Sequence, residues 1–245
     1  MCTVTFTTGS NAVFIGGNRD EQKSRPDGKP PEIHQVNGMK YLAPTDSKAG
    51  GTWIAVNKSG LTLCLLNRYQ GNAEQQFESG EPPSRGVIIP RFIHHQNLEK
   101  LANDIELNLH VEQFRPFTLI ALSSNPVSAI RWDWNGETFI KSDKKYAPVL
   151  WVSSGYDQED VEIVRQNVFK TFLDDAGNMT LESMKKLHSS KIPEQGAYSI
   201  AMMLDHVQTV SSTIVEIHDK AVLMHYHHGY PTKNGTWKTF ELSRD

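Results

Sequence analysis

The sequence predicts an α+β protein in which antiparallel sheets and helices are segregated. Three observations predict this class. Two hairpin patterns lie early in the chain, within residues 3–16 and 52–66. Two stretches with helical periodicity follow later, and groups of strand-like segments stand between and after them. The order β, α, β, α, β with hairpins on both sides is typical of antiparallel sheets packed with separate helices.

The first hairpin is predicted from residues 3–7, which alternate polar and apolar, and from the apolar run 12–16. Residues 9–11, Gly-Ser-Asn, are typical of a turn between two strands. A turn centred there pairs residues whose numbers sum to roughly 19–21. Cys2 is therefore predicted to lie opposite one of three residues: Gly17, Asn18 or Arg19.

The next segment, residues 22–50, is rich in Pro, Gly, Lys and Asp. It predicts a long irregular crossing with at most a short strand near 39–42, and a loop of this length in a compact domain is usually functional. A second hairpin follows, with strands at Thr52–Val56 and Leu61–Leu66 and a turn at Asn57–Gly60. Because Leu61–Leu66 is apolar throughout, it is predicted to be a central buried strand.

The helical part of the chain begins near Pro83. Apolar residues recur near helical spacing from Pro83 to Asn103, with Ser84 as the N-cap, and residues 105–114 predict a second short helix. Two further helices are predicted at Gln158–Leu173 and Thr180–Leu187. The other apolar segments predict strands at 117–121, 129–134, 137–141, 146–152, 199–203, 211–218, 220–227 and 236–242.

Composition restricts the classes of function. With 245 residues and no linker, repeat or low-complexity tract, the chain predicts one domain over 1–245. A net charge of −3 without a basic run argues against nucleic acid as the main partner. No apolar run reaches the ~18 residues of a membrane span, and no signal-peptide pattern is visible. Two cysteines fit a reducing cytosol better than a disulfide framework, and Cys64 is predicted to be a buried core thiol.

The start of the chain carries a candidate nucleophile. Initiator methionine is normally removed when the next residue is small, and its removal would leave Cys2 with both a thiol and a free α-amine. An amine with a pKa of ~7.7–8.0 beside a thiol with a pKa of ~8.5 provides a base for its own nucleophile. The thiolate would attack a carbonyl and form a thioester that is later hydrolysed. The simpler alternative is that Cys2 only begins a strand.

A series of short motifs gives the chain a resemblance to a known family. These are MCTV (1–4), NRDE (18–21), RP (25–26), PP (30–31), GGTWIAVN (50–57), LLNR (65–68) and SRG (84–86). With them the chain resembles the NRDE-motif family, whose eukaryotic members are called transport-and-Golgi-organisation proteins. That family is similar to the N-terminal-nucleophile hydrolases, especially the cysteine type that cleaves penicillin V and bile-salt amides. The resemblance implies a four-layer αββα sandwich of two antiparallel sheets covered by helices.

The resemblance also implies catalytic roles. Cys2 would be the nucleophile, Asp20 would orient its amine, and Asn67 would help to build an oxyanion hole, unless these two polar residues only complete turns. Arg19 would steady a substrate carboxylate or the thiolate. Adjacent strand residues point to opposite faces, so Arg19 and Asp20 cannot both face Cys2, whereas Asn18 and Asp20 share a face. The candidate substrate-binding residues are Asn18, Gly51, Thr52, Trp53, Arg68 and Ser153.

Two parts of the amidase set are missing. Where the amide hydrolases carry a second Asn, this chain has residues 151–154, in which Ser153 would act as the donor. Where they carry a distal Arg, it has residues 209–212, and Val210 does not replace an arginine. The incomplete set leaves two functions open. One is an amidohydrolase that needs no cofactor; the other is a non-catalytic protein that binds and traffics haem, acyl-CoA or lipid, as the family's associations imply.

The histidines form a second group. His225 and His227 share one face of a strand, and His94 and His95 lie on the predicted helix, where neighbours diverge by about 100°. No Cys or carboxylate completes a zinc-like spacing, so no metal site is predicted. Polar strand and helix faces are the simpler interpretation, and contact with haem or a transition metal is the alternative.

Overall fold

The computed structural model describes residues 2–69, 80–232 and 235–244. Within these ranges, two 3₁₀ turns lie at Arg85–Val87 and Val111–Gln113. The helices are α1 (Ile88–Phe92), α2 (Leu98–Asn108), α3 (Gln158–Ala176) and α4 (Leu181–His188). The strands are β1 (Cys2–Thr8), β2 (Val13–Gln22), β3 (Lys29–Val36), β4 (Met39–Thr45), β5 (Ile54–Asn57), β6 (Leu61–Asn67), β7 (Phe117–Ser124), β8 (Val127–Trp134), β9 (Phe139–Lys141), β10 (Val149–Ser153), β11 (Val207–Ile217), β12 (Ala221–His228) and β13 (Trp237–Ser243).

The strands form two antiparallel sheets that pack face to face. One sheet has the strand order β10-β1-β2-β11-β12-β13, and the other runs from β3 to β9 in chain order. One buried apolar cluster lies between the sheets, a second joins α1 and α2 to the larger sheet, and a third joins α3 and α4 to the smaller sheet. The fold is therefore the four-layer αββα sandwich that the resemblance implied. In the described part of the chain, no helix is both long and apolar enough to cross a bilayer.

Strand β6 shows how the apolar pattern fixes the layers. Leu61, Leu63 and Leu65 belong to the cluster under α1 and α2, whereas Cys64 and Leu66 belong to the cluster between the sheets. A strand that is buried on both faces reads as a continuous apolar run, which is the pattern of this segment. The prediction of a central strand is confirmed. Cys64 is a core thiol, fully buried, and this burial raises its pKa.

The first hairpin has the predicted register. The backbone N–H of Gly9 donates to the carbonyl of Ala12 at 2.9 Å and closes the turn. From there β1 and β2 pair without interruption until Cys2 lies directly opposite Arg19. The start of the chain therefore meets the NRDE motif across a single strand pair.

Residues 22–50 are more regular than predicted. Strand β2 extends to Gln22, and β3 and β4 form a hairpin whose turn residues, Asn37 and Gly38, have φ angles of 48° and 77°. Asn-Gly at such positive φ angles is typical of a two-residue hairpin turn. The prolines at 30–31 concealed β3, but this strand is at the edge of its sheet, where missing N–H donors are tolerated. The expectation of an irregular crossing was wrong.

The helix predicted from Pro83 to Asn103 is broken. Ser84 accepts a hydrogen bond from the N–H of Gly86 and caps a 3₁₀ turn rather than a helix, and α1 ends at Phe92. Helix α2 begins after Asn97, whose side chain accepts from the N–H of Lys100 at 3.0 Å. His94 and His95 therefore lie in the turn between two helices.

The later elements follow the predicted order with one exception. Thr180 caps α4, and α3 begins at the predicted Gln158. Residues 199–203 do not form a strand: this buried segment has one isolated bridge, between Met203 and Gln208. A short apolar run has the same pattern whether it is a strand or a buried irregular segment, so periodicity did not distinguish the two.

Asn18 and His188 fasten the helical layer to the smaller sheet. The Asn18 side-chain N–H group donates to the carbonyls of His188 (3.0 Å) and Ile200 (2.9 Å). Its Oδ1 accepts from Ser212 Oγ at 2.7 Å and lies 3.0 Å from His188 Nδ1. Because that oxygen only accepts, Nδ1 carries the proton, and Nε2 accepts from Thr5 Oγ1 at 2.8 Å. These contacts require a neutral imidazole.

This network predicts a pH-dependent stability. Burial lowers the pKa of His188 to about 3, whereas the pKa of an unfolded histidine is ~6.5. Between these values the unfolded chain binds a proton that the folded chain does not bind. The free energy of unfolding should therefore fall with falling pH by up to about 1.4 kcal/mol per unit, and this component should be absent from His188→Gln.

Urea unfolding of both proteins between pH 7 and pH 4.5 measures the difference. We expect the stability gap between wild type and His188→Gln to narrow steadily as the pH falls. His110→Gln, at an exposed histidine, is the matched control. Parallel curves for wild type and His188→Gln across the range would contradict the assigned tautomer and burial.

Candidate active site

Strand β2 divides the NRDE motif between the two faces of the smaller sheet. Directly paired residues of antiparallel strands share a face, so Arg19 points to the same side as Cys2. Glu21 follows on that side, and its carboxylate is 3.5 Å from Arg19 Nη2. Asn18 and Asp20 point to the opposite side, toward the helices. This is the alternation that the sequence predicted.

A cavity of about 480 Å³ opens on the Cys2 side. Its wall is formed by the start of β1, the end of β2, the loop that follows β4, the end of β6 and the segment 81–86. Most of the predicted site residues line it. They are Cys2, Arg19, Asn67, Gly51, Thr52 and Trp53, together with Asp20, which borders the cavity although its carboxylate lies on the helical side.

The pKa of the Cys2 thiol is set by opposing influences. Burial raises its pKa, and the nearby Asp20 carboxylate raises it further, while the Asp20 backbone N–H that hydrogen-bonds the sulfur and the Arg19 guanidinium lower it. The net direction is upward. A thiol in this setting needs an adjacent base to become a nucleophile.

Asp20 lies in a buried polar network beneath β1. Its Oδ1 accepts from Thr209 Oγ1 at 2.6 Å, and Arg165 Nη1 lies 3.8 Å from its Oδ2. The same guanidinium donates to Thr3 Oγ1 at 2.6 Å and to the carbonyl of Ala197 at 2.9 Å. Burial raises the pKa of Asp20, and Arg165 opposes that rise.

Arg165 is a site residue that the sequence analysis missed. It lies on α3 between the buried residues Val161 and Val168, on the apolar face of the helix, and is itself fully buried. A charged residue is rarely fully buried without a partner. An arginine on an apolar helical face is therefore the signal from which a buried carboxylate elsewhere in the chain could have been predicted.

Arg19 is fixed on the cavity wall. Its Nη2 donates to Asp46 Oδ2 at 2.8 Å, and its guanidinium lies 4.7 Å from the centroid of the Trp53 ring. Asp46 also binds Arg25, at 3.0 Å. Burial alone would raise the pKa of Asp46, but the N–H of Ala49 and the guanidinium groups lower it overall. Trp53 thus packs against the inter-sheet core and also supports a cationic side chain.

Asn67 and Ser153 meet beside Cys2. Ser153 lies directly opposite Cys2 on β10, so the two side chains share a face. The Ser153 hydroxyl donates to the backbone carbonyl of Asn67, and the Asn67 side chain hydrogen-bonds the hydroxyl of Tyr69. Asn67 therefore stands at the border of the Cys2 cavity and a second cavity of about 220 Å³, which Ser153 also lines.

Two predicted substrate-binding residues lie elsewhere. Asn18 would have to give up its bonds to His188, Ile200 and Ser212 to reach a ligand. Arg68 lines the second cavity, where its Nη1 donates to Asp133 Oδ1 at 2.7 Å. Their roles in substrate binding stay predictions.

Gly51 brings an unpredicted arginine to the cavity. A Cβ on Gly51 would lie 2.4 Å from the carbonyl carbon of Gly86, so only glycine permits this approach. The N–H of Thr52 donates to the carbonyl of Gly86 at 3.0 Å and secures the contact. Arg85 is thereby placed on the cavity wall, where it donates to the carbonyl of Pro116 at 2.8 Å. The sequence showed Arg85 only as part of a family motif.

Comparisons with known proteins agree with the fold. The family model described as Transport and Golgi organisation 2 matches residues 1–237. A cysteine-to-alanine mutant of the conjugated bile acid hydrolase from Clostridium perfringens superposes with a TM-score of 0.59 and 8% identity, over 99% of this chain and 92% of that chain. Penicillin V acylase from Agrobacterium tumefaciens gives 0.59 and 10%, over 99% and 86%.

A third solved structure is similar to the chain. It is the Caenorhabditis elegans orthologue of N-acylethanolamine-hydrolyzing acid amidase, with a TM-score of 0.57 and 16% identity over 87% of this chain and 92% of that chain. No curated protein sequence matches the chain. Identities this low show that the chain shares the fold of these three proteins.

The close contact between Gly51 and Gly86 predicts that a methyl group added at position 51 destabilises the fold, whereas one added at an open glycine does not. We expect Gly51→Ala to lower the free energy of unfolding by about 1–3 kcal/mol, because an inserted methyl forces backbone shifts in a packed region. Gly196→Ala is the control, since a Cβ there meets nothing within 4 Å. The free energy of unfolding of Gly196→Ala should equal that of wild type or exceed it by up to about 1 kcal/mol. Equal urea midpoints for the two variants would show that the 51–86 contact is not tight.

Proposed function

The chain belongs to the Transport and Golgi organisation 2 family, and we propose that it is an N-terminal-cysteine amidohydrolase that cleaves a non-peptide linear amide through a thioester. The main support is the position of Cys2, which begins β1 at the wall of a cavity. It lies opposite Arg19 on one neighbouring strand and opposite Ser153 on the other. The solved proteins that share the fold are named as a hydrolase, an acylase and an amidase. A free thiol suits a reducing compartment, and we expect the cytosol.

The proposed reaction begins with removal of Met1. The α-amine of Cys2 then takes the proton of its own thiol, and the sulfur attacks the amide carbonyl carbon. The ammonium returns the proton to the leaving nitrogen as the C–N bond breaks, so an amine departs and a thioester remains. Water, deprotonated by the same amine, attacks the thioester, releases the carboxylic acid and restores the thiol.

Asp20 is proposed to stabilise the ammonium that forms in this cycle. Its carboxylate lies beneath β1, on the helical side, while the thiol faces the cavity. The first residue of a strand carries both its amine and its side chain, so Asp20 can hold the amine from the helical side while the thiol faces the cavity within reach of that amine. Arg165 and Thr209 hold the carboxylate in place. Asp20 acts here as a positioning residue rather than as a proton carrier.

Asn67 is proposed as the donor to the oxyanion. It lies at the wall of the Cys2 cavity, at the end of β6. Removing a comparable donor in a protease raises the barrier by about 2.7–4 kcal/mol. Ser153 would serve mainly to fix the end of β6 against β10, because its hydroxyl already donates to the Asn67 carbonyl.

The role of Cys2 can be tested with a pair of cysteine variants. On a panel of N-acyl-p-nitroanilides and N-acyl amino acids, we expect Cys2→Ala to reduce amine release to the uncatalysed level. Cys64→Ala is the control, because that thiol is buried between the sheets and is not among the residues that line the cavity. Its turnover per folded molecule should match that of wild type. Turnover that survives in Cys2→Ala would contradict the assignment of the nucleophile.

A second function, binding of haem or acyl-CoA without catalysis, is supported by the chemistry of the cavity wall. Trp53 and the prolines at 82–83 supply apolar surface, and Arg85 and Arg115 supply positive charge. This combination suits an apolar ligand with anionic groups, such as the propionates of haem or the phosphates of coenzyme A. For haem, Cys2 would provide a thiolate ligand to iron.

Ligand titrations test the second function. If the cavity holds haem through Cys2, titration of wild type with haem should give a saturable change in the Soret band that Cys2→Ala abolishes. Arg85→Ala should weaken binding of haem and of palmitoyl-CoA, since both lose an anion contact. Binding that is unchanged in both variants would place the ligand outside this cavity.

A further inference from the structure

Three side chains that can bind metals meet in the layer outside the larger sheet, away from the residues that line the Cys2 cavity. His94 and His95 occupy the turn between α1 and α2, and Asp104 faces them from α2. One ligand atom from each lies within 4.8 Å of the others. His95 Nε2 is 2.7 Å from Asp104 Oδ2, and the ring centroids of His94 and His95 are 4.2 Å apart. These groups come from residues whose spacing in the sequence suggested no site.

The ring of His94 is oriented by the backbone. Its Nδ1 lies 3.1 Å from the carbonyl oxygen of Arg91. A carbonyl only accepts, so Nδ1 carries the hydrogen and Nε2 keeps a free lone pair. Histidines that bind metals commonly donate their second ring N–H to a carbonyl or carboxylate in this way, which fixes the tautomer.

The carboxylate is oriented by a neighbour on its own helix. Asn108, one turn further along α2, donates from Nδ2 to Asp104 Oδ1 at 2.6 Å. Oδ2 is left facing His95. Hydrogen bonding of the outer oxygen is the usual support for a carboxylate that binds a metal.

The turn that carries both histidines is held by Asn57, a residue of the GGTWIAVN motif that the proposed catalysis does not use. Asn57 is fully buried, and its Nδ2 donates to the carbonyls of Ile93 and His95, both at 2.7 Å. Its Oδ1 accepts from the N–H groups of Ser59 (2.9 Å) and Leu61 (3.1 Å). Such support from the interior holds the two imidazoles in place before any ligand arrives.

We propose that His94, His95 and Asp104 bind a divalent transition-metal ion, with Zn²⁺ as the first candidate. Two imidazole nitrogens and one carboxylate oxygen are a ligand set that zinc accepts with water in the fourth position. Binding replaces the hydrogen bond between His95 Nε2 and Asp104, and the proton on Nε2 is released to water. The hydrogen bond between His95 and Asp104 does not involve His94, whose Nδ1 contact with the Arg91 carbonyl leaves Nε2 available to the ion. The ion would tie the α1–α2 turn to α2 and stabilise the helical layer. This proposal is independent of the proposed hydrolysis.

The experiment uses the full chain without a polyhistidine tag, with Cys2→Ala throughout so that the thiol does not bind zinc. After chelator treatment and dialysis, Zn²⁺ is titrated by calorimetry, and thermal unfolding is followed with and without the ion. We expect one ion per chain and a rise in Tm. His94→Gln and Asp104→Asn should each weaken binding by at least about tenfold, because even the supporting residues of metal sites contribute 10–100-fold.

His110→Gln is the matched control, since His110 lies on the same layer beside Glu112 but outside the cluster. It should bind Zn²⁺ as the parent does. His94→Gln leaves the Asn57 hydrogen bonds intact, because those bonds reach only backbone carbonyls. The proposal is overturned if the parent binds no stoichiometric Zn²⁺, or if His94→Gln and His110→Gln bind it equally. In either case His95 and Asp104 form a hydrogen-bonded pair only.

Discussion

The antiparallel pairing of β1 with β2 is the constraint on which the candidate site depends. It joins the first described residue, Cys2, to Arg19 through an unbroken ladder that starts at a tight turn. Because the connection is short, little loop-closure entropy opposes it. The pairing also decides faces: every residue of β2 has its side set by the two-residue period, and a slip of one residue would exchange Arg19 for Asn18 or Asp20 beside the thiol.

The period of two gives the NRDE motif two separate functions. Asn18 and Asp20 are buried among the helices, where His188 and Arg165 engage them. The other two residues of the motif, Arg19 and Glu21, lie on the cavity side. One tetrapeptide therefore attaches the helical layer and furnishes the cavity. Conditions that weaken the attachment of the helices should also disturb the position of Cys2, because Thr3 and Thr5 of the same strand are hydrogen-bonded to Arg165 and His188.

Part of this arrangement was predictable from the sequence. Short-range pairing followed from the turn at 9–11, and the division of Arg19 and Asp20 between faces followed from strand geometry. Contacts between distant segments were not predictable: no local pattern shows that Arg165 lies near Asp20 or that Asp104 lies near His95. In some segments, local sequence signals also favoured different secondary structures.

That competition explains the errors of the prediction. Residues 22–50 were predicted to be irregular from their content of Pro, Gly, Lys and Asp, so the Asn37-Gly38 turn and the β3–β4 hairpin were missed. Apolar spacing continued across the break at 93–97 and concealed the turn that carries His94. Whether Cys2 is an N-terminal nucleophile can be measured from the intact mass of untagged protein before and after brief treatment with a thiol probe at neutral pH. We expect a mass without Met1 and rapid labelling that peptide mapping assigns to Cys2 and not to Cys64. Retention of Met1 would rule out the proposed nucleophile, because the α-amine would then belong to Met1 rather than to Cys2.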